Sequence, residues 1–229
     1  MGGVRSEFTP TLWSLVLQAR EHSREALEKL LQAYWKPVYF FIRRRGTDVD
    51  EAKDLCQGFF TRFLERDSLK GVSREKGRFR SWLLAALKNY MINEAEREGA
   101  HKRGGGRSIL SIDFRRAEIE FAVHPGTRET PERAFTRQWA LSSMARALGA
   151  LAAGMSPAEF EALKPHLAGG PAYGSTAERL GISPSQLNNL IHRTRKRYRE
   201  LLRQEVAGSL SDPELIDQEV RDLLDAVKS

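Results

Sequence analysis

Apolar residues along the chain recur at steps of three and four, the spacing of helices that bury one face, and no stretch shows the two-residue alternation of a strand. An opening helix capped by Thr11 carries Leu12, Leu15, Val16 and Ala19, and a second, from Arg24 to Lys36, carries Ala26, Leu27, Leu30, Leu31 and Tyr34. Pro37 lies in an aromatic patch, WKPVYFFIRRR, and is expected to open the next helix, because a residue without an N–H is best tolerated in a first turn. Gly46 to Asp50 reads as a turn. From Glu51 to Arg66, Ala52, Leu55, Cys56, Phe59, Phe60, Phe63 and Leu64 make one broad apolar face. A polar loop, DSLKGVSREKGR, leads to FRSWLLAALKNYMINEAERE, whose Trp82, Leu83, Ala86, Leu87, Tyr90 and Met91 turn inward.

The pattern breaks at AHKRGGGRS, residues 100–108, where three glycines among basic residues cannot sustain a helix. Turn-forming and polar residues dominate from there to TRETPE, so 99–130 is expected to be a flexible interdomain linker. Helical spacing returns in PERAFTRQWALSSMARALGALAA. Ser156 and Glu159 have capping-box spacing for a helix that Pro165 should bend or end, and GGPAYG reads as a loop. The expected fold class is therefore all-α, with two small helical domains (10–98 and 131–206), the linker between them and a helical tail (207–229).

The second domain contains the most specific pattern. Ser175 can cap a short helix, TAERL, that stops at Gly181; Ser183 then caps a longer one with Pro184 in its first position. Leu187, Leu190, Ile191, Thr194, Tyr198 and Leu201 fall on its inner side. Ser185, Asn189, His192 and Lys196 fall on the outer side, flanked by Gln186, Asn188 and Arg193. A short helix, a glycine turn and a longer helix with a polar outer face make a helix-turn-helix. The bland alternative is a solvated surface helix. However, the outer face holds amides and a hydroxyl, which can read base edges, rather than alternating Glu and Lys. Its continuation, HRTRKRYR, has five Arg or Lys and no acid before Glu200, which suits a phosphate backbone.

Composition narrows the function classes. At 229 residues, 41% hydrophobic and 29% charged, the chain can form two small cores, and its net charge of +7 favours an anionic partner. Cys56, the only cysteine, excludes an intrachain disulfide and reads as a packed, inert thiol. No apolar run approaches membrane length, so the simplest location is the cytoplasm. His22, His101, His124, His166 and His192 are scattered, and no glycine-rich phosphate loop follows a strand, so no enzyme activity, cofactor or metal site is expected. A recombinase-type enzyme therefore fits poorly; a DNA-binding regulator with a helical sensing domain remains an alternative.

Two separated segments are similar to one family. Asp54-Leu55-Cys56-Gln57-Gly58-Phe59-Phe60, then Arg78-Phe79-Arg80-Ser81-Trp82-Leu83 and Lys88-Asn89, resemble domain two of bacterial sigma factors of the extracytoplasmic-function (ECF) group in the sigma-70 family. AERLGISPSQLNNLIHRTRKRYRELL resembles their domain four, in the right order and behind a glycine-rich linker. The resemblance implies a protein that directs core RNA polymerase to promoter DNA and melts it. It places Asp50, Glu51, Asp54 and Gln57 at the polymerase. It places Arg78, Arg80, Lys88, Asn89, Asn93 and Arg97 along the unpaired minus-ten strand, with Trp82 mainly core and Phe79 either packed or stacked on a flipped base. The outer ridge of the helix-turn-helix (Ser185, Gln186, Asn188, Asn189, His192, Arg193 and Lys196) would enter the major groove of the minus-thirty-five element. An anti-sigma factor or a Ser/Thr kinase is admitted as a further partner.

The chain departs from the family pattern at Lys53 and Gly58, where acids are common, and at Asn188-Asn189, where Lys-Ser is frequent. Phosphorylation at Thr61 or Thr47 would restore negative charge near the first; otherwise the remaining acids and apolar contacts suffice. The tail from 211 to 229 lies outside the family plan and carries six acids against Arg221 and Lys228, a net of −4. Two readings are open for it: a helix packing its leucine side on domain four, or an element that competes with DNA for the basic helix.

Overall fold

The computed structural model describes residues 24–64, 77–98, 112–123, 129–167, 174–210 and 212–228. The expected helix at Thr11, most of the 67–78 loop, the 104–106 glycine run and nearly all of GGPAYG lie outside the described residues. Every regular element among the described residues is helical. The chain forms two compact units, Met1–Leu141 with Ala207–Ser229, and Ser142–Val206.

In the first unit, α1 (Arg24–Arg44) is one helix with Pro37 inside it, not two helices meeting at the proline. Tyr34, Val38, Tyr39, Phe41 and Ile42 are almost completely buried around that position. Burial on several sides offsets the roughly 3 kcal/mol a mid-helix proline costs. The helix stops at Gly46, whose φ of 90° lies in the left-handed region and whose N–H donates to the Arg43 carbonyl. α2 (Val49–Leu64) starts slightly earlier than the apolar pattern indicates, because the Asp48 carboxylate accepts from the Asp50 and Glu51 amides at 2.9 Å each. α3 (Phe79–Glu98) follows its predicted bounds. Phe59, Phe60, Phe63, Phe79, Leu83 and Leu87 are buried, with Phe79 edge-on to Tyr34 of α1 at 5.2 Å and stacked on Trp82 at 5.6 Å. The Phe79 ring is therefore a packing group. Cys56 is fully buried, its thiol facing the Trp35 carbonyl, and burial pushes the thiol pKa up.

The flexible-linker expectation fails within 99–130. Residues Phe114–Ala122 form α4, capped by the Asp113 carboxylate, which accepts from the Arg116 amide. Phe114 meets Trp35 and Tyr39 at 5.8 and 4.9 Å, and Phe121 meets Phe40 at 5.5 Å. Glu118 accepts from the Tyr39 hydroxyl and the Arg43 guanidinium, both at 2.7 Å, and Glu120 pairs with Lys36. A nine-residue helix with four charged positions is unstable alone, but α1 supplies an aromatic and cationic bed that local composition does not show. The domain boundary drawn at 131 also moves. α5 (Pro131–Ala153) begins in the first unit, where Ala134, Phe135, Trp139 and Ala140 are buried, and its residues from Ser142 onward belong to the second.

The second unit continues with α6 (Pro157–Leu167), α7 (Gly174–Leu180) and α8 (Pro184–Ala207). Leu163, Ala177, Leu187 and Ile191 form its core, with Met155, Leu180, Ile182 and Leu190 packed on it. Pro165 lies in the last turn of α6, which ends two residues later at Leu167. The chain closes with a 3-10 turn (Pro213–Leu215) and α9 (Ile216–Lys228), both in the first unit.

Candidate nucleic-acid interface

The joint between α7 and α8 is built from local chemistry. Gly181 adopts φ 64°, its N–H donates to the Glu178 carbonyl, and the Ile182 N–H reaches the Ala177 carbonyl at 3.1 Å. Ser175 does not cap α7, because that helix already starts at Gly174. At the start of α8 a reciprocal capping box forms: the Gln186 amide donates to Ser183 Oγ at 3.3 Å, and Gln186 Oε1 accepts from the Ser183 N–H at 2.8 Å. The α8 inner face is fixed by Leu187, Ile191 and Thr194, whose hydroxyl donates to the Leu190 carbonyl. Farther along, the Tyr198 hydroxyl donates to the Met144 carbonyl, and burial raises its pKa.

With the inner face anchored, Ser185, Asn188, Asn189, His192, Arg193 and Lys196 all stand exposed on one ridge. Gln186 is exposed beside them, but its side-chain oxygen is engaged in the cap. Arg195 turns the other way, donating twice to the His166 carbonyl at the end of α6, while buried His166 Nε2 contacts the Thr176 hydroxyl at 2.9 Å. Arg197 pairs with Glu200 at 3.6 Å. The basic run thus divides: Arg193 and Lys196 stay on the outer ridge, and Arg195 secures the fold. Periodicity alone shows the ridge, whereas the role of Arg195 needs the position of α6.

The residues assigned to the unpaired strand also divide. Asn89, Asn93 and Arg97, four apart on α3, lie on an exposed stripe that begins at Ser81 and Ala85, with Ile92 half exposed beside them. Arg97 makes an exposed pair with Glu94. Lys88 is paired with Glu132 of α5 at 2.7 Å and lies over the Phe41 ring. The Lys88 hydrogen bond is the largest of the effects holding the Glu132 carboxyl below its ordinary pKa. Arg78 and Arg80 are bound by the tail. Glu219, fully buried, accepts from Arg80 Nε and Nη2 and from Arg78 Nε at 3.0 Å, and Asp222 takes Arg78 Nη1 at 3.1 Å. Arg80 also lies over the Trp139 ring at 4.9 Å. The expectation that the tail packs on domain four is therefore corrected: the tail belongs to the unit containing α3, where Glu219 and Asp222 meet Arg78 and Arg80. Charge complementarity was readable from the tail alone; which arginines it meets was not.

On α2, Asp50, Glu51 and Asp54 are exposed and Gln57 is half-buried. Lys53 hydrogen-bonds Asp50 at 2.8 Å and draws its carboxyl pKa down. Gly58 sits under α3: a Cβ there would stand 2.3 Å from the Tyr90 hydroxyl. That close approach accounts for the missing acid at this position. The Thr61 hydroxyl donates to the Gln57 carbonyl of its own helix, and the Thr47 carbonyl accepts from Arg43. Among the described residues no cluster of three or more His, Cys, Asp or Glu is placed to hold a metal ion, and no helix is long and apolar enough to cross a membrane.

Comparison with known families adds one match: a profile described as ECF sigma factor aligns with residues 12–207. Among curated proteins, none matches the sequence.

Proposed function

The chain belongs to the ECF sigma-factor family, and from that premise we propose that it binds core RNA polymerase, reads duplex promoter DNA with the α8 ridge and holds melted promoter strand along α3. As a sigma factor it serves transcription initiation and binds DNA; the residue roles are our assignment. It acts by binding, with polymerase supplying the chemistry. The observation that carries the reading is the α8 ridge, where six polar or basic side chains are exposed on a capped helix whose opposite face is locked into a core. Asn188 and Asn189 offer paired donor and acceptor groups for base edges, and Arg193 and Lys196 offer charge to phosphates. The exposed Asn89–Asn93–Arg97 stripe supports a second contact, since unstacked bases need donors along a groove. Asp50, Glu51 and Asp54 are available for a basic surface of the polymerase.

Core polymerase, mixed with the chain, should co-elute with it and start RNA synthesis at discrete sites on linear promoter DNA. Substituting Lys for Asp50, Glu51 and Asp54 together should weaken co-elution. A chain that binds duplex DNA alone but never associates with core polymerase would instead be a free-standing regulator.

A further inference from the structure

The tail does more than lean on the first unit. The Ser209 carbonyl accepts from the Phe79 N–H at 3.1 Å, satisfying one of the donors left open in the first turn of α3. Ser209 and Leu210 are buried there. Leu223 buries from α9, and Glu219 places both its oxygens on the Arg78–Arg80 pair. An open helix N-terminus beside two arginines is chemistry that suits a phosphate backbone. Here a backbone carbonyl and two carboxylates occupy it.

Resting on the assignment of Arg78 and Arg80 to promoter strand, we propose that α9 is a tethered stand-in for the nucleic-acid backbone, and that it leaves these arginines when the melted strand binds. A buried carboxylate held between two arginines is a poor source of plain stability, because desolvating the charges cancels most of their attraction. A leucine at position 219 would anchor a permanent brace at less cost. What the carboxylate adds is a contact that another anion can replace. Asp222, half-buried at the edge of the pair, is the point where a phosphate first competes. Because α9 is joined to the same chain, it returns at high effective concentration whenever the strand is absent. The tail thus disfavours nucleic-acid binding by the free chain and yields to a strand that polymerase holds in place.

The test uses the full chain in complex with core polymerase and a fork-junction oligonucleotide carrying an unpaired non-template strand. Hydrogen–deuterium exchange across residues 212–228 should accelerate when the oligonucleotide is added, relative to the same complex with blunt duplex. The doubly substituted chain, Glu219→Gln with Asp222→Asn, should bind the unpaired oligonucleotide about ten-fold more tightly than wild type, as expected if a closed state populated about nine-tenths of the time is removed. Asp222→Asn alone, at the accessible edge, should give a smaller gain in the same direction and decides the matter if the buried substitution impairs folding. Strand binding with α9 still protected, or no gain from Asp222→Asn, overturns the displacement and leaves a permanent brace. If the wild-type complex binds no unpaired strand, both this inference and the strand-binding assignment fall.

Discussion

Gly58 shows how one position trades surface charge for packing. It sits mid-helix in α2, where glycine costs about 1 kcal/mol relative to alanine. The Tyr90 hydroxyl occupies the space a Cβ would need, and the Tyr90 ring packs edge-on to Phe59 at 5.6 Å. Gly58→Ala should therefore lower stability by about 1 kcal/mol, the overpacking cost exceeding the propensity gain. In a Tyr90→Phe background, where the nearest atom to the new Cβ is the ring carbon at 3.5 Å, the same change should raise stability by about 1 kcal/mol. Urea denaturation of the four proteins in this cycle checks the sign reversal; equal effects in both backgrounds would remove the packing explanation. Outward position was readable where one helix decides it, as for the exposed Asn188 and His192. Contacts were hidden where a partner lies far along the chain. Arg80 and Glu219 are 139 residues apart, so Arg80 looked like a free cation. For Gln186 the sequence did not show the cap, since the same side-chain amide can read a base or close a capping box.

The helices from 79 to 98 and from 131 to 153 were visible in the sequence because their apolar spacing is unbroken. Pro37 and α4 were not, because tertiary burial overrides the local signal in both. For α4 the decisive group is Glu118. Burial opposes its ionisation, but the hydrogen bonds from Arg43 and Tyr39 and the Arg43 charge outweigh that and lower its pKa below 4.5. A carboxyl depressed in the folded state stabilises above its unfolded pKa and loses that contribution as pH falls through the folded value. Amide exchange within 114–122 should therefore accelerate as pH falls below about 4.5, after correction for intrinsic rates, and Glu118→Gln should abolish that pH dependence. At the start of α8, Ser183→Ala removes one half of the capping box and should cost about 1 kcal/mol. It should also weaken promoter binding in proportion to fraying of the first turn of α8. Thermal melts together with duplex-binding titrations check both, and unchanged melting would show that the cap contributes nothing.

Over the whole molecule, the chain places two polar, exposed helix faces in two separate compact units, one on α3 and one on α8. Under the proposed function, that separation lets one chain contact unpaired strand and duplex at once. All-helical architecture followed from periodicity, whereas the break near residue 100 falls inside the first unit and the two units part between Leu141 and Ser142. Attachment of α4, of the start of α5 and of α9 to the first unit did not follow from periodicity, because it depends on contacts between distant segments. The central claim is that these two faces read different promoter elements. Its most direct test is run-off transcription with core polymerase over a library of randomised promoter sequences, scored by sequencing the transcribed templates. Wild type should enrich two sequence elements. Asn188→Ala with Asn189→Ala should relax only the upstream element, and Asn89→Ala with Asn93→Ala only the downstream one. Enrichment of a single element, or identical enrichment by both double variants and wild type, would contradict the account.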